Sequence, residues 1–107
     1  MTATRTIPSQ MLSVIEEKGW YRGDALGDSE TATQCPVSST YYFDADQHDL
    51  FEAYGVIAQV IKDLYPGPWM NMPNQVVIIT HWNDSPQTKI THVRRVLREA
   101  SKRMRSA

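Results

Sequence analysis

The chain has 107 residues, of which 41% are hydrophobic and 21% are charged, and its formal net charge is −1. These values are ordinary for a globular protein and exclude collagen-like, disulfide-rich and low-complexity chains. A single cysteine excludes an internal disulfide and disfavours a structural zinc site, and no apolar run is long enough to cross a membrane. We therefore expect one globular domain, residues 1–107, kept in a reducing cytoplasm and without a membrane partner.

The first predicted element is a helix from about Pro8 to Lys18. Proline fits a first helical turn, because its missing N–H group would be unpaired there anyway. Gly19 is predicted to end the helix in a left-handed conformation, with Trp20 as the apolar contact that often follows such a glycine. The apolar face of this helix is formed by Met11, Leu12, Val14 and Ile15.

The next segment is predicted to be a loop followed by a short strand. Residues 22–34 are polar, contain glycine and lack periodicity. STYYF, residues 39–43, combines β-branched and aromatic residues in a short block, which is typical of a strand.

A second helix, the most buried of the fold, is predicted from Asp46 to the PGP sequence at 66–68. The carboxylates of Asp46 and Asp49 suit the positive end of a helix, and one of them can cap it. The two prolines of PGP end it. Apolar residues recur at helical spacing at Leu50, Tyr54, Ile57, Ile61 and Leu64, flanked by Phe51, Ala58 and Val60.

PGPWMNMP, residues 66–73, places three large apolar side chains in a loop bounded by prolines. Trp69, Met70 and Met72 either fold back over the core or form an exposed patch for a partner. We expect them to cover the core, and we retain Trp69 and Met70 as candidate partner-binding residues.

QVVII, residues 75–79, is predicted to be the second strand, because it is β-branched and too short for an independent helix. A lone strand leaves its backbone groups unpaired, so QVVII needs a partner. STYYF is the best candidate within the chain. The alternative is a homodimer in which QVVII pairs with its own copy.

The polar segment HWNDSPQT, residues 81–88, has two interpretations. We favour the structural one, in which Asn83 and Asp84 cap the third helix, Trp82 lies in the core and His81 faces solvent. The alternative is an acid–base pair of His81 and Asp84, but no nucleophile or second carboxylate stands at a recognised spacing. The chain also lacks a phosphate-binding loop and metal-ligand spacing, so we expect no enzyme, metal or cofactor.

The third helix is predicted to extend to about Met104 and to carry two adjoining stripes. At 100° per residue, the apolar stripe covers an arc of about 80° and the basic stripe an arc of about 100°. The predicted fold class is therefore α+β, mainly α, with three amphipathic helices and one short β-strand pair. The apolar stripe consists of Ile90, Val93, Leu97, Ala100 and Met104, and the basic stripe of Arg94, Arg95, Arg98, Lys102 and Arg105.

The basic stripe is a candidate partner-binding surface. Residues 89–107 carry seven basic side chains and one acidic one, whereas residues 1–88 carry four basic and eleven acidic ones. Such a stripe either lies against acidic groups of its own chain or meets an anionic partner. We expect a non-enzymatic protein-binding module. A nucleic-acid-binding protein that uses the basic face is the alternative, because phosphate-binding helices also carry contiguous cations.

Three features together resemble a known family: Gly19-Trp20 after the first helix, Cys35 in the first half, and WND-x-P at 82–86 before the last helix. The pattern is similar to a family of small proteins of actinobacteria and their phages, catalogued as a domain of unknown function. The resemblance covers mainly residues 10–23 and 81–101. It implies a genomic setting rather than a chemistry, namely a phage-encoded protein that acts on a host protein. The family has a short apolar segment after its cysteine, where this chain has PVSSTYYF.

Overall fold

A computed structural model describes residues 5–20 and 36–106 of the chain. Within these ranges the chain forms five α-helices: α1 (Ile7–Lys18), α2 (Pro36–Ser39), α3 (Gln47–Leu64), α4 (Gln75–Asp84) and α5 (Ile90–Ser106). No described residue belongs to a strand, so the predicted α+β class with a β-strand pair is wrong and the fold is mainly helical. The predicted loop at 22–34 and Cys35 lie outside the described residues.

The predicted first helix is confirmed as α1. Its N-terminus is capped by Thr6, whose hydroxyl accepts the N–H of Ser9 at 3.3 Å. Gly19 ends the helix with a φ of 97°, which a residue with a Cβ rarely adopts, and donates its N–H to the carbonyl of Ile15 at 2.7 Å. Trp20 follows and packs half-buried against the core, as predicted.

The predicted second helix is confirmed as α3, and it is central, because α1, α4 and α5 all pack against it. The carboxylate of Asp46 accepts the N–H of His48 at 3.1 Å and caps the helix. Phe51 differs from the prediction, since it is 59% exposed. The residues of α3 that are buried are Ala53, Ile57, Ala58, Val60 and Ile61.

The predicted strand QVVII is wrong, because residues 75–79 form the first half of α4. The side-chain oxygen of Asn74 accepts the N–H of Val77 at 3.0 Å and caps the helix. β-Branched residues cost only tenths of a kcal/mol each in a helix, whereas burying a large apolar side chain contributes about 1.5–3 kcal/mol. Burial of Ile78, Ile79 and Trp82 therefore outweighs the local preference for a strand.

The predicted strand STYYF is wrong as well, because residues 39–43 close α2 and form a 3₁₀ turn, Thr40–Tyr42. The hydroxyl of Ser39 donates to the carbonyl of Pro36 at 2.6 Å, and that of Thr40 donates to the carbonyl of Val37 at 2.8 Å. These local bonds stabilise a tight turn instead of leaving the backbone extended. α2 then lies against α1 and α4.

The loop between α3 and α4 contains a second 3₁₀ turn, Pro68–Asn71, and covers the core with Trp69. Trp69 is only 9% exposed, and its indole N–H donates to the carbonyl of Tyr65 at 2.9 Å. A Cβ at Gly67 would lie 2.5–2.8 Å from the indole ring, so only glycine fits there. The expected covering of the core is observed at Trp69, whereas Met70 is 40% exposed.

Side-chain contacts fix the direction in which the helices run. The hydroxyls of Thr6 and Ser101 lie 2.5 Å apart, and Glu16 contacts Arg94, so α5 runs antiparallel to α1. In contrast, Gln75 at the start of α4 lies beside Gly55 in the middle of α3, and Trp82 near the end of α4 lies against Tyr65 after α3, so α4 runs in the same general direction as α3. The carboxyl ends of α3 and α4 are therefore close together, beside the start of α5.

Candidate functional site

The helix α5 lies between α1 and α3 and presents its remaining face to solvent. The predicted apolar stripe is confirmed, although Val96 and Ser101 are also buried and were missed. Both lie at the edges of the predicted arc, where a helical wheel does not show which neighbouring helix covers them. The buried residues of α5 are Val93, Val96, Leu97, Ala100 and Ser101, with Ile90 and Met104 partly buried.

One member of the basic stripe, Arg94, is paired with an acidic group of its own chain. Its guanidinium donates to both carboxylate oxygens of Glu16 on α1, at 2.6 and 3.1 Å. This hydrogen bonding lowers the pKa of Glu16 below its usual value and raises the pKa of Arg94. Arg94 therefore links α5 to α1 rather than being available to a partner.

A second internal link joins α5 to α3 through Arg103, which lies outside the predicted basic stripe. Its guanidinium donates to Asp63 on α3 at 2.8 Å and to Glu99 one turn earlier on α5 at 3.0 Å. The bond from Arg103, helped by a bond from Gln59, lowers the pKa of Asp63. The two linking arginines thus hold α5 from opposite sides.

The remaining cations of the stripe form a row along the outer face of α5. Arg95, Arg98 and Lys102 are exposed, and the spacing of three and then four residues places them on one side of the helix. Among the residues that the structure describes, none of the three contacts a carboxylate. We call Arg95, Arg98 and Lys102 the cation row. Arg105, also exposed, donates to the hydroxyl of Ser101 at 3.3 Å.

The cation row lines an open concavity of about 700 Å³ on the surface of the described helices. Leu64 at the end of α3 and Arg94 also line it, as do Glu16 and Glu99, each of which is already bonded to an arginine. The concavity thus contains four basic side chains and two acidic ones, and it carries a net positive charge.

Asn83 and Asp84 do not lie where the sequence predicted. They are the last two residues of α4, whereas α5 begins at Ile90, so they do not cap the start of α5. Asn83 is fully buried, and its side-chain oxygen accepts the indole N–H of Trp20 at 2.7 Å. Its amide donates to Asp84 at 3.2 Å. Asn83 thus joins the end of α4 to the residue that follows α1.

The other residues of HWNDSPQT have structural roles. Trp82 is 1% exposed and belongs to the core, and His81 is exposed, both as predicted, although they lie on a helix. The buried hydroxyl of Thr88 donates to the carbonyl of Trp82 at 2.6 Å and holds the turn between α4 and α5. At the start of α5, the Nδ1 atom of His92 accepts the N–H of Lys89 at 3.2 Å, which is half of a capping box.

Sequence reasoning missed an aromatic cluster at the start of α5. The ring of Tyr65 stacks on Trp82 with 6.0 Å between centroids and lies 4.8 Å from the ring of His92. The guanidinium of Arg95 lies 5.8 Å from the Tyr65 ring centre, and one of its nitrogens is 3.5 Å from the Tyr65 hydroxyl. The cluster joins α3, α4 and α5, so no spacing along the sequence indicates it.

Metal-ligand clusters and membrane-spanning helices are both absent from the described part of the chain. Residues 5–20 and 36–106 contain no group of three or more His, Cys, Asp or Glu side chains placed to hold a metal ion. None of the helices in these ranges combines the length and the apolar character needed to span a membrane.

Comparison with known proteins identifies a family. No curated protein and no solved structure matches the chain. The model of a family described as a family of unknown function, DUF6197, matches residues 1–103. The expected kind of family is thereby confirmed, while the actinobacterial or phage origin and the WND-x-P motif stay predictions. The chain is a member of DUF6197.

Proposed function

We propose that this protein is a non-enzymatic binding module that holds an acidic segment of a protein partner on α5. The observation that carries the proposal is the cation row. Its three side chains are exposed, lie on one face, and have no carboxylate partner among the described residues. The internal links of Arg94 and Arg103 account for other cations of the helix but leave this row open to an anionic partner.

The two internal links also support the proposal by fixing the surface. Arg94 ties α5 to α1 and Arg103 ties it to α3, so the helix between them is held on both sides. A surface that is ordered before binding loses less conformational entropy when a partner docks. The cations of the row are thus presented at fixed spacing.

A nucleic-acid-binding protein is the alternative, and the number of cations argues against it. If all three cations of the row contact phosphates, the salt slope of binding is about −2.7, equivalent to roughly a 40-fold loss between 50 and 200 mM salt. DNA-binding proteins commonly make about 6–10 phosphate contacts.

The proposal is tested with a triple variant, Arg95→Gln, Arg98→Gln and Lys102→Gln. Wild type and variant are titrated with an oligoglutamate peptide and with mixed-sequence duplex and single-stranded DNA, at about 50 and 200 mM salt. Backbone amide NMR shifts detect weak binding and report its place. The matched control replaces three cations outside the row, Arg5, Lys62 and Lys89, by glutamine, which changes the net charge equally.

We expect the peptide to shift amides of α5 in the wild type and in the control, and to leave the row variant unchanged. Micromolar binding of DNA at 200 mM salt that disappears in the folded row variant would instead establish the nucleic-acid alternative. If neither ligand binds at 50 mM salt, the cation row is not a binding surface.

The resemblance of Gly19-Trp20 and WND-x-P to the actinobacterial and phage family extends the proposal to a setting. In that setting the chain is encoded by a phage, acts in the cytoplasm of the host, and binds a host protein. Affinity capture from an actinobacterial lysate, with the row variant as the control bait, tests this extension separately.

A further inference from the structure

The aromatic cluster encloses a small pocket of about 140 Å³ at the start of α5. Its walls are the rings of Tyr65, Trp69, Trp82 and His92, with Gln87 at an exposed edge. An engineered cavity of about 150 Å³ in another protein holds a benzene molecule, whereas sites for drug-sized ligands measure about 300–1,000 Å³. The pocket therefore has the size of one aromatic ring.

The polar atoms of the walls are largely engaged inside the protein. The indole N–H of Trp69 donates to the carbonyl of Tyr65, and the Tyr65 hydroxyl contacts Arg95. The Nδ1 atom of His92 accepts the N–H of Lys89. Pro66 and Thr88 complete the lining, which is more apolar than polar, and its four rings favour an aromatic guest in an offset or edge-to-face arrangement.

The pocket lies next to the cation row, at Arg95. His92 and Arg95 are three residues apart on α5, so their side chains are neighbours on the helix surface. Arg95 also lies over the ring of Tyr65, which forms a pocket wall. A peptide whose aromatic ring enters the pocket therefore has its next residues beside Arg95, Arg98 and Lys102.

We infer that the pocket binds one aromatic side chain of the acidic partner segment, and that the neighbouring carboxylates of that segment contact the cation row. The inference rests on the proposed function and specifies its partner, an acidic peptide segment with a phenylalanine or tyrosine anchor. The positive charge of the cation row favours acidic residues beside the anchor of the partner segment. The size and the aromatic walls of the pocket favour an aromatic ring as that anchor.

The test compares three short synthetic peptides. The first has one central phenylalanine flanked on both sides by glutamate and aspartate. The second replaces the phenylalanine by alanine, and the third replaces the acidic residues by glutamine and asparagine. None contains tryptophan, so any change in emission comes from the protein, in which Trp69 and Trp82 line the pocket and Trp20 does not. NMR titration gives the affinity and shows whether the shifted amides surround the pocket.

We expect the first peptide to bind at least tenfold more tightly than each of the other two, and it alone to change the tryptophan emission. Gln87→Phe, which fills the pocket from its edge, should remove the advantage of phenylalanine over alanine. Arg95→Gln should weaken both acidic peptides. His81→Phe, at an exposed position of α4 that does not line the pocket, is the matched control and should leave the advantage intact.

Each of the other possible outcomes contradicts a particular part of the inference. Equal binding of the first two peptides leaves the proposed function standing and excludes the anchor. Binding of neither acidic peptide removes the proposed function as well. If Gln87→Phe instead converts a dimer into a monomer in sedimentation experiments, the occupant is a second copy of this chain and the peptide partner is excluded.

Discussion

The hydrogen bond between Asn83 and Trp20 yields the sharpest prediction for stability. Asn83→Ala removes the acceptor of the Trp20 indole N–H, a bond of 2.7 Å made by a fully buried side chain. A typical bond of this kind contributes about 0.5–1.5 kcal/mol, and a donor left without a partner costs about 1–3 kcal/mol. In a domain of about 100 residues, each kcal/mol corresponds to roughly 4–8 °C in the melting temperature.

The bond itself is isolated with a double-mutant cycle. Trp20→Phe keeps an aromatic ring and removes the N–H group, and the double variant completes the cycle. We expect a coupling free energy of about 0.5–1.5 kcal/mol between the two positions, measured by urea unfolding followed by circular dichroism. Asn71→Ala is the matched control, because Asn71 is exposed, and it should change stability by less than about 0.5 kcal/mol.

The acidic peptides that test the cation row also show whether Asn83 has a role in binding. Because Asn83 acts in the packing between α4 and the end of α1, the folded Asn83→Ala protein should bind the acidic peptides as the wild type does. A coupling free energy below about 0.3 kcal/mol would refute the structural role of the bond. Loss of peptide binding with an unchanged melting temperature would indicate that WND-x-P is itself a binding site.

Three further predictions concern the core, the loop and pH. Ile57→Ala should cost about 2–5 kcal/mol in urea unfolding, because Ile57 is fully buried on α3, whereas Phe51→Ala, at an exposed position, should cost far less. Gly67→Ala should destabilise by about 1–3 kcal/mol, because its Cβ would overlap the indole packed on it, and the tryptophan emission should change. The pKa values of Glu16 and Asp63 are lowered in the folded protein, so their ion pairs stabilise the fold when the pH is above the ordinary pKa values of 4.5 and 3.8. This stabilisation is lost as the pH falls through the lowered pKa values. Below about pH 4.5, the melting temperature should therefore fall more steeply in the wild type than in a Glu16→Gln/Asp63→Asn variant.

The start of α3 and the ends of α1 and α3 were predictable from local signals. Asp46 caps α3 and the proline at 66 follows its end, while Gly19 ends α1 with the positive φ that glycine permits. Each signal acts through a hydrogen bond or a backbone angle within a few residues. Such effects do not depend on the rest of the fold, so the sequence suffices to locate them.

The β-branched composition of QVVII indicates a strand, but its context in the chain favours the helix α4 that is observed. A cap was present at Asn74, directly before the segment, and Ile78 and Trp82 stand four residues apart. These are signals of a helix. These signals are weak in α4, because a helix that is buried on several sides lacks the one-sided apolar pattern that identifies an amphipathic helix.

Only part of the candidate site was predictable, because some of its features arise within one helix and others arise from contacts between helices. The cation row follows from the spacing of residues on one helix, so the sequence contains it. Which cations are neutralised depends on Glu16 and Asp63, which lie on other helices. The pocket depends on the contact between Tyr65 at the end of α3 and His92 on α5, and only the packed structure brings these residues together.

Stability alone does not account for the cation row. Like charges three or four residues apart on a helix destabilise it by about 0.2–0.5 kcal/mol per pair, which applies to Arg95 with Arg98 and to Arg98 with Lys102. The helix dipole favours cations only within the last turn, and Arg95 lies in the second turn of α5. The bonds to Glu16 and Asp63 engage Arg94 and Arg103, and among the described residues the row has no direct carboxylate contact, although the charge of Arg98 also lowers the pKa of Glu16. Charges that cost stability and remain exposed support our proposal, in which the cation row contacts an acidic segment of a partner.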